Sequence, residues 1–373
     1  MRISNIFHLG LKELRSLGRD PVLLFMVIWV FTVGVYAAAT AMPDSLNKAP
    51  LAIVDEDGSP LAARLATAFY PPHFLMPVMI AQPEMDKRMD AGLDTFSIDI
   101  PPDFQQDLLA GRTPTIQLNI DATRMSQAFI GNSYIQTMIN EEVAEFVQRY
   151  RSMEEPRVDL NLRVRFNPNL TQAWFGSVME MINNVTMLSI ILTGASLIRE
   201  REHGTVEHLL VMPVTPFEIM VSKIWSMAVV VTVACIFSLF VVVKGLLDVH
   251  LAGSLPLFFT GTMLHLFATT SMGIYIGTLA RSMPQFGLLM VLILLPLQML
   301  SGGVTPRESM PLIVKTVMEA APTTHFVALA QAILYRGAGL EVVWPQLIAL
   351  TVIGAVLFVL SHARFRRTIG LMA

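Results

Sequence analysis

Residues 199–223 read REREHGTVEHLLVMPVTPFEIMVSK and join two apolar stretches, each long enough to cross a bilayer. Loops between membrane helices are commonly short and plain. This one is dense in charge, carries its own helix signals and lies on the side marked by Lys and Arg. It reads as a docking element for a partner at the inner membrane face, and so the chain reads as one subunit of a larger machine.

Outward from this loop, hydrophobic residues make up 53% of the 373 and charged residues 15%, a balance that excludes an ordinary soluble domain. Six stretches meet the length of roughly 20 apolar residues needed to cross a bilayer. They are Pro21–Met42, Phe175–Ile198, Ile224–Val243, Leu255–Ala280, Gln285–Gly302 and Val342–Ser361. The single cysteine, Cys235, excludes an intrachain disulfide and a cysteine metal cluster.

Basic residues set the orientation. Arg2, Lys12, Arg15 and Arg19 precede the first span. Arg199, Arg201 and Lys223 flank the loop, Arg281 sits in the turn between spans four and five, and Arg364, Arg366 and Arg367 follow the last span. With alternating spans all fall on one side, which is then cytoplasmic. Both termini lie inside, and residues 43–174 lie outside. Lys244, Arg307, Lys315 and Arg336 run against the bias.

The first apolar run, about 20 residues, is longer than the core of a signal peptide and reads as an uncleaved anchor. Before it, Ile3, Phe7, Leu11, Leu14 and Leu17 recur at helical spacing beside Lys12, Arg15 and Arg19. That pattern predicts an amphipathic helix over 1–20, either lying on the inner surface or extending the first span.

Residues 43–174 change character. LAIVDED (51–57), TFSIDIP (95–101) and TIQLNID (115–121) predict short strands, and the strict alternation from Val158 to Phe166 predicts another. Helices are expected from Pro102-Asp103-Phe104 to Gly111 and from about Met125 to Tyr150. The result is an α+β domain inserted between spans one and two. Glu141, Glu142 and Glu145 read as a solvated helix face.

In the loop, Thr215-Pro216-Phe217-Glu218 is a capping box that starts a helix running into the third span. His203 and His208 stand five apart, about 140° around a helix, which is poor spacing for a metal site.

The loop, Arg199–Ile219, matches the form R-E-[RK]-E-x-G-T-x-E-x-L-L…P, and PLQMLSGGVTPRESMP (296–311) follows the fifth span. With these motifs and this layout the chain resembles the ABC-2 type permeases, the membrane subunits of ABC exporters, and the Gram-negative inner-membrane permeases among them. The resemblance implies an α-helical integral membrane protein with six transmembrane helices and a periplasmic α+β domain between spans 1 and 2. It implies a multi-pass protein of the bacterial inner membrane that pairs with a second permease chain, as homo- or heterodimer. It also implies docking of separate ATP-binding subunits. Arg199, Glu200, Arg201, Glu202, Gly204, Thr205, Glu207, Leu209 and Pro213 would then couple ATP hydrolysis to movement of the spans. ATP and Mg would belong to the partner, because this chain has no phosphate-binding G-x-x-x-x-G-K-[ST] loop and is expected to be no enzyme itself. Leu300-Ser301-Gly302-Gly303 repeats the start of an ATPase signature, but at the outer end of an apolar span, where the glycines suit a turn. A periplasmic adaptor and membrane lipid are further expected contacts; nucleic acid is not.

Ionisable residues within spans mark ion or substrate paths. Glu180, Asn183, Asn184, His265 and Gln298 are the candidates for a polar translocation path, with interhelical hydrogen bonding as the competing role. No chain of carboxylates crosses the bilayer, which argues against a proton- or sodium-driven transporter. The competing class is a membrane-anchored sensor or adaptor whose outer domain binds a partner; it predicts a soluble output domain, which the sequence lacks.

Overall fold

The computed structural model describes residues 2–41, 46, 48–121, 125–150, 172–202, 214–305, 307 and 310–370. In chain order the elements begin with α1 (Ile3–Gly18) and α2 (Pro21–Thr40). An inserted unit, residues 42–164, follows. It contains β1 (Leu51–Asp55), α3 (Pro60–Ala68), β2 (Val78–Met79), α4 (Met85–Asp90), β3 (Phe96–Ile100), α5 (Phe104–Leu109), β4 (Gln117–Ile120) and α6 (Met125–Tyr150). The helical unit resumes with α7 (Gln172–Glu202), α8 (Pro216–Leu246), α9 (Leu255–Leu279), α10 (Met283–Met299), α11 (Leu312–Glu319), α12 (Pro322–Leu334) and α13 (Leu340–Gly370).

Three helices start by the same local device, an oxygen-bearing cap followed by proline. Asp20 accepts from the amides of Val22 and Leu23, and Ser59 accepts from Ala62. Thr215 forms the full capping box: the Glu218 amide donates to its hydroxyl at 3.3 Å, and its own amide donates to the Glu218 carboxylate at 2.9 Å. In each case Pro21, Pro60 or Pro216 sits where no helical amide is needed.

In the inserted unit four strands form one sheet in the order β2-β1-β3-β4. β1 is parallel to β2 and β3, and β4 is antiparallel to β3. Ile53 stands opposite Ile98, and these with Leu51, Phe96, Leu61, Leu65, Phe74, Ile135 and Phe146 form a core of their own. β2 was not foreseen, because two residues make no periodic signal. The expected strand at 158–166 lies outside the described residues. His73 is half-buried, bonded to the Leu46 carbonyl at 3.1 Å and packed on Tyr134. Arg64 bridges Glu142 and Glu145, so two of the three acids on α6 are paired.

The chain is mostly helical. In the helical unit, five described helices are long and apolar enough to cross a membrane: α2, α7, α8, α9 and α13. α10, at 17 residues, is shorter, ends at Met299 and contains Pro296. α7 is the central helix: 83% of its apolar window is buried, against 22% for α2 and 17% for α13, whose outer faces are exposed. α7 and α9 meet at backbone contact. A Cβ on Gly273 would lie 2.8 Å from the Ile190 carbonyl oxygen. Gly302, at φ +96°, turns the chain after α10 through the region glycine favours. Two short helices, α11 and α12, then occupy 312–334, with Phe326 of α12 stacked on Phe258 and on His265. In α2 over Val30–Gly34 and in α8 over Ser238–Leu246 the helical turn widens to i→i+5 bonding.

Candidate functional site

The end of α7 carries Arg199, Glu200, Arg201 and Glu202 in succession. Consecutive helical residues point about 100° apart, so four in a row reach four different neighbours. Arg199 donates from Nη1 to Asp20 at 2.7 Å, the residue that caps α2. Glu200 accepts from Lys12 of α1 at 3.1 Å and pairs with Lys223 of α8 at 2.8 Å. Arg201 donates from Nη2 to the Ala280 carbonyl at 2.6 Å, closing the end of α9. Glu202 accepts the amide of Met283, the first residue of α10, at 2.9 Å. One helix end is thereby tied to α1, α2, α8, α9 and α10.

Lys223 is the centre of this hub. It is 2% exposed, and its ammonium donates to Glu13 at 2.9 Å and to the Ser196 hydroxyl at 3.2 Å. Lys12, Glu13, Glu200 and Lys223 sum to zero charge. A buried ammonium needs this company, because an unpaired ion away from water is very costly. Burial pushes the Glu13 carboxyl upward, and the Lys223 ammonium opposes it. The Asp20 carboxyl is held below its ordinary range by the Leu23 amide and by Arg199. A cavity of about 390 Å³ adjoins the hub, lined by Lys12, Glu13, Ser16, Arg199 and Glu200 among others.

α1 reaches the hub because it packs on α8. Gly10 lies flat on Trp225, where an added Cβ would come within 2.2 Å of the ring. The Trp225 ring nitrogen donates to the Ile6 carbonyl at 3.2 Å, and Phe7 stacks parallel to the indole. The amide of Arg2 donates to Glu218 at 2.6 Å. The face turned to the protein is Gly10, Glu13 and Leu17, whereas Ile3 and Phe7 of the apolar stripe are exposed. α1 is thus neither a free surface helix nor a continuation of α2, since the chain breaks at Arg19-Asp20.

Of the loop residues singled out from the sequence, Arg199, Glu200, Arg201 and Glu202 all fall in the hub. Gly204, Thr205, Glu207, Leu209 and Pro213 lie outside the described residues. Sequence reading missed Glu13, Lys12, Asp20 and Ser196 as partners and used Lys223 only as an orientation marker. Its signal was a lysine at the start of an apolar run with no carboxylate three or four residues away.

The polar residues of the spans fall in separate places. Asn184 donates to the Val30 carbonyl at 3.0 Å, where the turn of α2 begins to widen, and its side chain also meets Glu180 one turn away. His265 is buried, with Nε2 2.8 Å from the Thr186 hydroxyl and its ring stacked on Phe326. Below it the Ser189 hydroxyl donates to Thr269 at 2.7 Å. Asn183 and Gln298 are half-buried, on α7 and α10.

The profile described as ABC-2 family transporter protein matches residues 21–362. The "Inner membrane transport permease YhhJ" of Escherichia coli (strain K12) is 62% identical over 371 residues, covering 100% of this chain and 99% of that protein. The "Probable multidrug ABC transporter permease YbhR" of the same organism is 28% identical over 362 residues, covering 96% and 97%. The "Probable multidrug ABC transporter permease YbhS" is 27% identical over 368 residues, covering 94% and 93%.

Proposed function

The chain belongs to the ABC-2 transporter family, and from that premise we propose that it is the inner-membrane permease subunit of an ATP-driven exporter. In this reading two permease chains form the path, and separate ATP-binding subunits dock on the loop after α7. That loop, α1 and the end of α13 face the cytoplasm, and residues 43–174 face the periplasm. ATP and Mg are bound by the partner, and this chain is not itself the catalyst.

The observation that supports this reading most directly is the hub at Arg199–Glu202. A force applied to the loop at 203–213 enters α7 through four residues that between them hold five helices. A push there is shared at once among α1, α2, α8, α9 and α10. Glu180, Asn183, Asn184, His265 and Gln298 are offered as the polar lining of the path.

The test is co-purification with candidate ATP-binding proteins, followed by ATPase assays of wild type and Glu207→Arg. Complex formation or coupling is expected to fall in the variant. Full retention of both would move the docking site elsewhere.

A further inference from the structure

A cleft of about 390 Å³ opens between the start of α8 and the end of α13, lined by Thr215, Pro216, Phe217, His362 and Arg366. Its aromatic wall is well packed: Phe217 meets the rings of Phe358 and His362 edge-on at 5.7 and 5.9 Å. Glu218, on the first turn of α8, is turned away, its two oxygens taken by the amides of Thr215 and Arg2. Arg364 is engaged over the Tyr275 ring at 5.8 Å. Arg366, by contrast, has no ion pair among the described residues. The His362 Nδ1 is enclosed and has no hydrogen-bond partner among them.

A guanidinium and an aromatic wall therefore share one cleft at the end of an apolar helix. The cleft asks for an anion with an apolar portion. The planar fork of arginine matches phosphate oxygens, and basic pockets between membrane helices are where anionic headgroups lodge. We propose that this cleft binds the phosphate of an anionic membrane lipid. Arg366 is the donor, and Phe217 lies against the first carbons of the lipid. The assignment needs only a bilayer at that helix end and holds whichever subunit drives transport.

The test uses the full chain, purified in neutral detergent, stripped of lipid and titrated with phosphatidylglycerol while occupancy is read by native mass spectrometry. Arg366→Gln should weaken binding by roughly tenfold, the worth of one charge-assisted hydrogen bond. Arg367→Gln, one residue on and outside the cleft, should bind as wild type does. Displacement by millimolar inorganic phosphate would identify the phosphate group as sufficient; lipid that resists displacement would show that the tail contributes. Unchanged binding by Arg366→Gln, or an equal loss with Arg367→Gln, overturns the proposal. So does a variant that keeps lipid but loses an ATP-binding subunit, since the cleft would then serve a protein.

Discussion

The Lys223 ammonium sits 2.9 Å from the carboxylate of Glu13, a residue 210 positions earlier. The pair joins a helix that precedes the first span to the helix that forms the third. Such a pair gives less net stability than its geometry suggests, because both ions were desolvated to make it. Its larger effect is to fix register, since no other seating of α1 supplies Lys223 with its partners.

Removing the cation should therefore be severe. Lys223→Met leaves Glu13 and Glu200 buried without their ammonium and should cost about 3 kcal/mol or more. Thermal unfolding in detergent, followed by tryptophan fluorescence, checks this. Adding Glu13→Gln should recover part of the loss, as coupled neighbours do. A Lys223→Met protein as stable as wild type would remove the hub from consideration.

The seating of α1 should depend on the absence of a side chain at position 10. Gly10→Val places carbon into the Trp225 ring, an overpacking worth roughly 1–3 kcal/mol. α1 should lift, and protease cleavage within residues 3–18 should speed up. Trp225→Ala in the same chain should restore room and slow cleavage relative to Gly10→Val alone.

Asp20 supplies a pH signature. Its folded carboxyl titrates below the ordinary value of about 3.9, so it binds fewer protons when folded than when unfolded. The stability it contributes is thus present above that value and is lost as pH falls through the folded one. Asp20→Asn should be less stable than wild type by no more than about 1 kcal/mol at neutral pH, since the pair is partly exposed. The gap should close below about pH 4. A gap that persists unchanged at low pH would contradict this account.

Gly273 meets a neighbour that cannot yield. The atom facing its missing side chain is the Ile190 carbonyl oxygen of α7, and backbone in a central helix cannot swing aside as a flexible side chain can. Gly273→Val should force α7 and α9 apart and lower yield and thermal stability more than Gly287→Val, where nothing lies within 4 Å. Equal behaviour of the two variants would argue against close helix contact.

The membrane helices and the capping box at Thr215 were legible because both are local. An apolar run and a cap followed by proline state their structure within a few residues, and the long helix 125–150 has its own pattern. The charged loop was visible as a place of consequence, but its wiring was not. Arg199 meets Asp20, and Arg201 meets a backbone oxygen at Ala280; neither partner is marked by spacing. Glu13 was hidden inside an amphipathic pattern that suggested an apolar inner face, whereas the inner face carries the acid. The widened turns of α2 and α8 had no signature either: Val30–Gly34 reads as uninterrupted apolar helix, and Ser238–Leu246 as the end of a span, closing before Lys244.

Those two widened turns set the angular phase of everything that follows them. Each extra residue accommodated in a turn swings the downstream side chains about 100° around the axis relative to an evenly wound rod. A one-residue deletion in Val30–Gly34 would let the winding become even and keep the distal half facing its neighbours as before, whereas the same deletion in an evenly wound stretch turns everything beyond it by about 100°. At such a widened turn a shortened sequence should do less harm than the same deletion elsewhere in the span.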